Sequence, residues 1–238
     1  MNIYFFDTET TGNTPTDRLI QLAIKKRSVE KPVVNELFKS PIPISFESSA
    51  VHHITNKMVE NKSLFQESKI YQELKDLFEN PDNLFVAHNS PFDISMFEIE
   101  NIYPKNVICT LKNIKNIDTS GEFTNYRLQY LRYALGMELE VGAHDALADV
   151  IVLEKLFEYI LEKMISSGIS ELDAIEKMKK ITTEPMLIKD INFGKHKGSS
   201  IEDVAKKDPG YLSWLLSEKL KNPIGEEDWI FTLKKYLP

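Results

Sequence analysis

Residues 2–6 form a short apolar run rich in Ile, Tyr and Phe, ending at Asp7-Thr8-Glu9-Thr10-Thr11-Gly12. This is the pattern of a buried strand emptying into a turn. Residues 19–24 and 32–38 predict the next two strands, so the chain opens as a meander. Over 65–79, Phe65, Ile70, Leu74, Leu77 and Phe78 fall at helical spacing, and Leu84-Phe85-Val86-Ala87 predicts a fourth strand. Ser90-Pro91 reads as a helix opening, a capping side chain and then proline at the first helical position. Asp93 is thereby placed in the first turn of a helix that directly follows a strand. A fifth strand is expected over 107–110, with helices over 126–135, closed by Gly136, and over 144–165, closed near Gly168. Three antiparallel strands followed by strand–helix alternation predict an α/β fold, a mixed five-stranded sheet flanked by helices.

The pattern changes after a helix expected over 171–180. Thr182-Thr183-Glu184-Pro185 reads as a linker and 187–193 as a strand, followed by the glycine-bounded basic turn Phe193-Gly194-Lys195-His196-Lys197-Gly198. Ser199 and Glu202 have capping-box spacing, and Asp208-Pro209 opens a helix carrying Tyr211, Trp214 and Leu215. The expected division is a domain over 1–168, a helix and linker over 169–185, and a small α+β appendage over 186–238. Lys195, His196 and Lys197 could meet phosphates, with Lys206 and Lys207 extending the patch. The plainer expectation is a stabilising appendage with Tyr211, Trp214 and Leu215 in its core and its lysines solvated.

Composition narrows the classes. The chain has 238 residues, enough for a sizeable core without covalent staples. Its single cysteine, Cys109, excludes a disulfide scaffold and Cys-based zinc modules. No apolar run approaches the roughly 18 residues of a membrane span, and Asp7 comes too early for a secretory signal, so a cytoplasmic location is expected. A formal net charge of −7 argues against coating nucleic acid by bulk electrostatics. The acid is concentrated: residues 1–165 carry 17 Lys and Arg against 24 Asp and Glu, whereas 166–238 is balanced at 12 against 12. That is either a solvated acidic surface or a carboxylate cluster waiting for cations.

The placement of the acids favours the second reading. Asp7 and Glu9 are two apart on a strand and so project to one face, where two carboxylates repel unless a cation lies between them. Asp93 sits at a strand's C-terminal edge, where open α/β sheets place their ligands. In His144-Asp145-Ala146-Leu147-Ala148-Asp149, His144 and Asp149 are five apart, about 140° around an ideal helix, so they are poor partners at one metal. From the mobile-looking Gly142-Ala143 entry, His144 could instead reach a bound water. Asp145, four before Asp149, is a competing ligand candidate. Taken singly, each of these residues has a bland explanation as a solvated acid, a helix-dipole partner or a surface histidine. Together they form one site. Carboxylates without cysteine suit hard, oxygen-preferring Mg²⁺ or Mn²⁺. Two such ions about 3.5–4 Å apart can clamp the attacking and leaving oxygens of a phosphodiester, and a neutral histidine can take the water's proton.

At these residues the sequence resembles the DEDDh family of 3′→5′ exonucleases. The resemblance rests on Phe6-Asp7-Thr8-Glu9-Thr10-Thr11-Gly12, His88-Asn89-x-x-Phe92-Asp93 and His144-Asp145-Ala146-x-x-Asp149. Val51-His52-x-Ile54-Thr55 matches a further family segment, with His53 where a glycine is usual. From residue 193 onward the chain is similar to the C-terminal region of the exodeoxyribonuclease X branch of that family. Asn13-Thr14-Pro15 departs from the apolar, strand-separating residue of that branch. The resemblance implies an RNase H-like fold, with Asp7, Glu9, Asp93 and Asp149 binding two Mg²⁺ or Mn²⁺ and His144 acting as general base. It implies that Thr8, Thr10, His52 and Asn89 bind substrate. The implied reaction is hydrolysis of DNA at 3′ ends, single-stranded and duplex, releasing 5′-mononucleotides, in a DNA repair setting. RNA trimming and a polymerase-associated proofreading subunit are the alternative enzymatic expectations. A noncatalytic binding module is the alternative of another class.

Overall fold

The computed structural model describes residues 1–14, 16–138, 146–221 and 226–237. The chain divides into two compact units, Met1–Thr182 and Thr183–Pro238.

The first unit opens with β1 (Asn2–Thr10), β2 (Leu19–Lys26) and β3 (Val34–Leu37). Two short helices follow, α1 (Phe46–His52) and α2 (Asn56–Val59), then a 3-10 turn at Phe65–Glu67 and α3 (Tyr71–Glu79). Strand–helix alternation begins at β4 (Asn83–Ala87) and α4 (Ser90–Ile99), and continues through β5 (Val107–Cys109) and α5 (Thr110–Ile117). The unit closes with α6 (Leu128–Ala134), α7 (Ala146–Ile165) and α8 (Glu171–Thr183). The sheet order is β3-β2-β1-β4-β5: β1–β2 and β2–β3 are antiparallel, β1–β4 and β4–β5 parallel. This is the mixed five-stranded sheet the sequence predicts.

Alternation along β1 sorts the core into two layers. Ile3 and Phe5 pack with Ala23, Val86 and the buried face of α7, which contributes Val150, Leu153, Leu156, Phe157 and Ile160. Tyr4 and Phe6 face the other way, into a cluster with Phe78 of α3, Phe85 of β4 and Phe97 of α4. Phe6 lies 5.3 Å from Phe78 and 5.5 Å from Phe97 between ring centroids, so α3 and α4 close over that face. β1 and β4 are buried on both sides, which is why they read as continuous apolar runs.

Several local expectations shift. The helix expected over 65–79 is broken at residues 68–70 into the 3-10 turn and α3. Asn89, in left-handed backbone with φ 67°, holds the N-cap position of α4, so Ser90 already lies inside the helix. The cap of α9 (Ile201–Lys207) is Ser200, whose hydroxyl accepts from the Asp203 amide, and not Ser199. α8 belongs to the first unit. Its Ala174, Ile175 and Met178 join the core beneath α7, and Asn113 Nδ2 of α5 donates to the Met178 carbonyl at 3.1 Å.

The second unit has its own small core, with Ile191, Ile201, Val204, Leu212, Leu215 and Leu233 contributed by α9, α10 (Pro209–Lys221), α11 (Glu227–Tyr236) and the segment before them. The strand expected over 187–193 is reduced to one antiparallel bridge, Asp190 with Ser200. The returning segment is occupied by a 3-10 turn, Gly194–His196, and leaves no second strand to pair with. The described residues of this appendage are therefore helical where an α+β unit is expected. Among the described residues, no helix is long and apolar enough to cross a membrane.

Candidate active site

The alternation that sends Phe5 toward α7 carries Asp7 and Glu9 to the same face at the strand's C-terminal end. There they meet Asp149, in the first turn of α7. One carboxylate oxygen from each of the three lies within 4.8 Å of the others. Asp7 and Glu9 are half-buried and Asp149 is buried. Three carboxylates this close, partly removed from water, are held together against their mutual repulsion. A hard divalent cation is the natural counter-charge, and these three carboxylates, an all-oxygen donor set among the described residues, fit Mg²⁺ or Mn²⁺.

The position of Asp149 follows from how α7 is fastened along β2. Lys25 Nζ meets Glu154 Oε2 at 2.5 Å, and Arg27 grips Glu158 through two nitrogens at 2.6 and 2.9 Å. At the helix start, Gln21, directly opposite Glu9 in the β1–β2 register, accepts from the Ala146 amide at 3.5 Å. Gln129 of α6 donates its side-chain amide to Asp149 Oδ1. Such bonds from outside the ligand set orient a carboxylate. Neither Gln21 nor Gln129 is detectable from sequence, because a glutamine on a strand or an amphipathic helix carries no spacing signal.

Asp93 stands apart from the three. It is 3% exposed in the first turn of α4, and its Oδ1 accepts from Thr8 Oγ1 at 2.7 Å. Thr8 lies between Asp7 and Glu9 in the chain and points to the opposite face of β1, so Asp93 approaches the strand end from the α4 side. Burial pushes the Asp93 carboxyl up to about 7, against the opposing pull of the Thr8 hydroxyl. A cation nearby would restore its charge. The structure thus brings Asp7, Glu9 and Asp149 into one cluster, with Asp93 joined to it through Thr8.

The remaining predicted residues fall as follows. His52 is buried, accepting from the Ile54 amide at Nδ1 (3.0 Å), so Nε2 carries the hydrogen and donates to the Thr10 carbonyl at 3.1 Å. The ring thereby ties the end of α1 to the end of β1. Thr10 Oγ1 donates to the Gly12 carbonyl at 2.5 Å and shapes the turn beyond the strand. Asn89 is exposed beside the α4 N-terminus. His144 and Asp145 lie outside the described residues.

An RNase H-like sheet that gathers carboxylates from its first strand and a late helix defines a nuclease. The sequence profile of the exonuclease family matches residues 4–157, and an exodeoxyribonuclease X-like C-terminal profile matches 191–219. The chain belongs to the exonuclease family. It is 29% identical over 218 residues to Exodeoxyribonuclease 10 of Escherichia coli K12, covering 89% of each. It is 31% identical over 184 residues to the PolC-type DNA polymerase III of Thermotoga maritima, covering 73% of this chain and 13% of that one. Among solved structures it resembles Exonuclease X in complex with 5′-overhanging duplex DNA, at 25% identity and a TM-score of 0.56, covering 76% of this chain and 99% of that one. It also shares its fold with E. coli Exonuclease I in complex with a dT13 oligonucleotide, at 20% identity and a TM-score of 0.57, covering 67% and 40% of the two chains.

Proposed function

We propose that the protein is a 3′→5′ exodeoxyribonuclease that hydrolyses the terminal phosphodiester of DNA and releases 5′-mononucleotides. The observation that carries this reading is the convergence of Asp7, Glu9 and Asp149 at the end of β1, with Asp93 joined through Thr8. The names of the relatives support DNA as the substrate.

Asp7, Glu9, Asp93 and Asp149 would together hold two divalent cations, Mg²⁺ or Mn²⁺, the first two and the last already gathered at the end of β1. When bound, such cations polarise the phosphate and stabilise charge on the attacking and departing oxygens. The chain's own residues do the rest. Gln129 and Gln21 hold the α7 carboxylate in register with the strand, so the donor set is assembled before substrate arrives. Thr8 fixes Asp93. His144 accepts the proton of the attacking water. Thr10, His52 and Asn89, around the strand end and the start of α4, position the terminal nucleotide, His52 through the Thr10 backbone it holds. We place the protein in DNA repair and in the cytoplasm.

A single-stranded DNA oligonucleotide labelled at its 5′ end tests the proposal, incubated with Mg²⁺, with chelator, and with the Asp7→Ala protein. Stepwise shortening from the unlabelled end, lost in both controls, is the expected result. Degradation of RNA of the same sequence, with the DNA left intact, would transfer the site to an exoribonuclease.

A further inference from the structure

The basic turn of the second unit supplies none of the carboxylates of the nuclease site, yet it is built to a definite shape. Gly194 and Gly198 bound it, with φ 63° and 85°, backbone that favours glycine. A Cβ at Gly194 would also press on Tyr211 Oη at 3.0 Å. Between the glycines, Lys195 Nζ and His196 Nε2 both reach Asp208 Oδ2, at 2.7 and 2.9 Å. Asp208 precedes α10, and its other carboxylate oxygen accepts from the Tyr211 amide at 3.2 Å. One carboxylate therefore clamps the turn against the start of α10. The Tyr211 ring lies edge to face with His196, 4.7 Å between centroids, and carries the Lys195 ammonium 5.2 Å from its own.

One helical turn further along α10 stands Trp214, its ring 5.5 Å from that of Tyr211. Leu212 and Leu215 are buried in the core of the unit, but Trp214 is 54% exposed. An exposed tryptophan next to an ordered basic turn sets an open aromatic face beside fixed cations, the combination that holds unpaired bases and their phosphates. Lys197 is exposed and makes no ion pair among the described residues, and the Lys195 side chain is 61% exposed despite its bond to Asp208.

We propose that the turn Gly194–Gly198 and the Tyr211–Trp214 face of α10 form a binding site for single-stranded nucleic acid within the second unit. A base stacks on the open face of Trp214 while Lys195 and Lys197 meet the adjoining phosphates. Aromatic stacking and point-charge phosphate contacts are tolerant of sequence, so the site holds any unpaired strand. The choice of ligand rests on the reading of the chain as a nuclease acting on DNA.

The two tryptophans of the chain, Trp214 and Trp229, give a local readout. Trp229 is packed edge to face on Phe193, 5.2 Å between centroids, inside the unit. The full-length protein, in chelator so that nothing is hydrolysed, is titrated with a fifteen-residue oligothymidylate. Saturable quenching is expected in the wild type and in Trp229→Phe, and none in Trp214→Phe. By fluorescence anisotropy of the labelled oligonucleotide, Trp214→Ala and Lys197→Glu each weaken binding about tenfold, and Lys197→Glu also flattens the salt dependence. Absence of quenching, quenching confined to Trp229, or unchanged affinity in both variants would overturn the site. Adding Mg²⁺ to the wild type tests the nuclease reading separately: quenching at Trp214 without cleavage keeps this site and fails that reading.

Discussion

His53 stands where the family resemblance leads one to expect glycine, and the backbone explains why glycine would suit the position. At φ 62° and ψ 11° it is the left-handed residue that ends α1, its amide bonded to the Ser49 carbonyl. A side chain there is strained, and His53 is exposed, with no core contact to offset the cost. His53→Gly should stabilise the protein by about 0.5–1 kcal/mol, read as a raised urea midpoint with unchanged slope. A lowered midpoint would mean the imidazole makes a contact worth more than the strain. His88 makes a second residue-scale prediction. Burial, reinforced by Lys115, holds its pKa down to about 4, against the bond its Nε2 donates to the Tyr126 carbonyl at 2.7 Å. The unfolded chain binds a proton near pH 6.5 and the folded chain resists it to about 4. Stability is therefore unaffected above neutrality and falls as pH drops through that window, by at most about 1.4 kcal/mol per pH unit from this group. His88→Asn should flatten the fall in denaturation free energy between pH 6.5 and 4.5; an identical pH profile in the variant would refute the assignment.

At the scale of elements, the site depends on the axial setting of α7 along β2, and the fastenings along that contact are unequal. The Lys25–Glu154 pair is nearly out of solvent, the side chains 9% and 14% exposed, and Glu154 also accepts from the Ser28 amide at 2.8 Å. Lys25→Met would strand a buried carboxylate and should cost about 3 kcal/mol. Arg27 is more open at 24%, and so are its two partners, Glu158 at 40% and Glu171 at 52%, so even this bidentate grip is screened and Arg27→Ala should cost about 1 kcal/mol. Comparable losses in the two denaturation curves would contradict this ranking. The same elements show what sequence can and cannot disclose. β1, β4 and α7 are legible because burial imposes long apolar patterns on them, and with them come Asp7, Glu9, Asp93 and Asp149. α1 is not. Its Phe46 is 90% exposed and it buries only His52, held instead by the Ser45 cap and by Ser48 Oγ on the Thr11 carbonyl at 2.9 Å. α5 was hidden by adjacency, since it starts at Thr110 with no turn after β5 and so reads as more strand. Nor can spacing along the chain reveal that Thr8 and Asp93 share a hydrogen bond across 85 residues.

For the molecule as a whole, the two units are built on separate cores. The carboxylate cluster lies in the first unit, whereas both tryptophans lie in the second. The balance of charge over residues 166–238 was visible in the sequence. The clamping of its basic turn by Asp208 was not, because it depends on where the start of α10 meets a loop twelve residues earlier. This division makes the cost of the nuclease site measurable. Crowded carboxylates destabilise the cation-free fold, and a cation that binds only the folded state restores it, by about 2.7 kcal/mol at a concentration a hundredfold above its dissociation constant. Mg²⁺ should therefore raise the midpoint of the far-ultraviolet circular dichroism transition, to which the larger first unit contributes most of the signal. The tryptophan fluorescence transition, which reads the second unit alone, should stay where it is. Asp7→Asn removes one of the three charges, so in chelator it should unfold at a higher temperature than the wild type and respond little to Mg²⁺. Coincident shifts in both signals would show that the units unfold as one block. A lower midpoint for Asp7→Asn in chelator would show that the cluster is held by its hydrogen bonds and not strained by its charge.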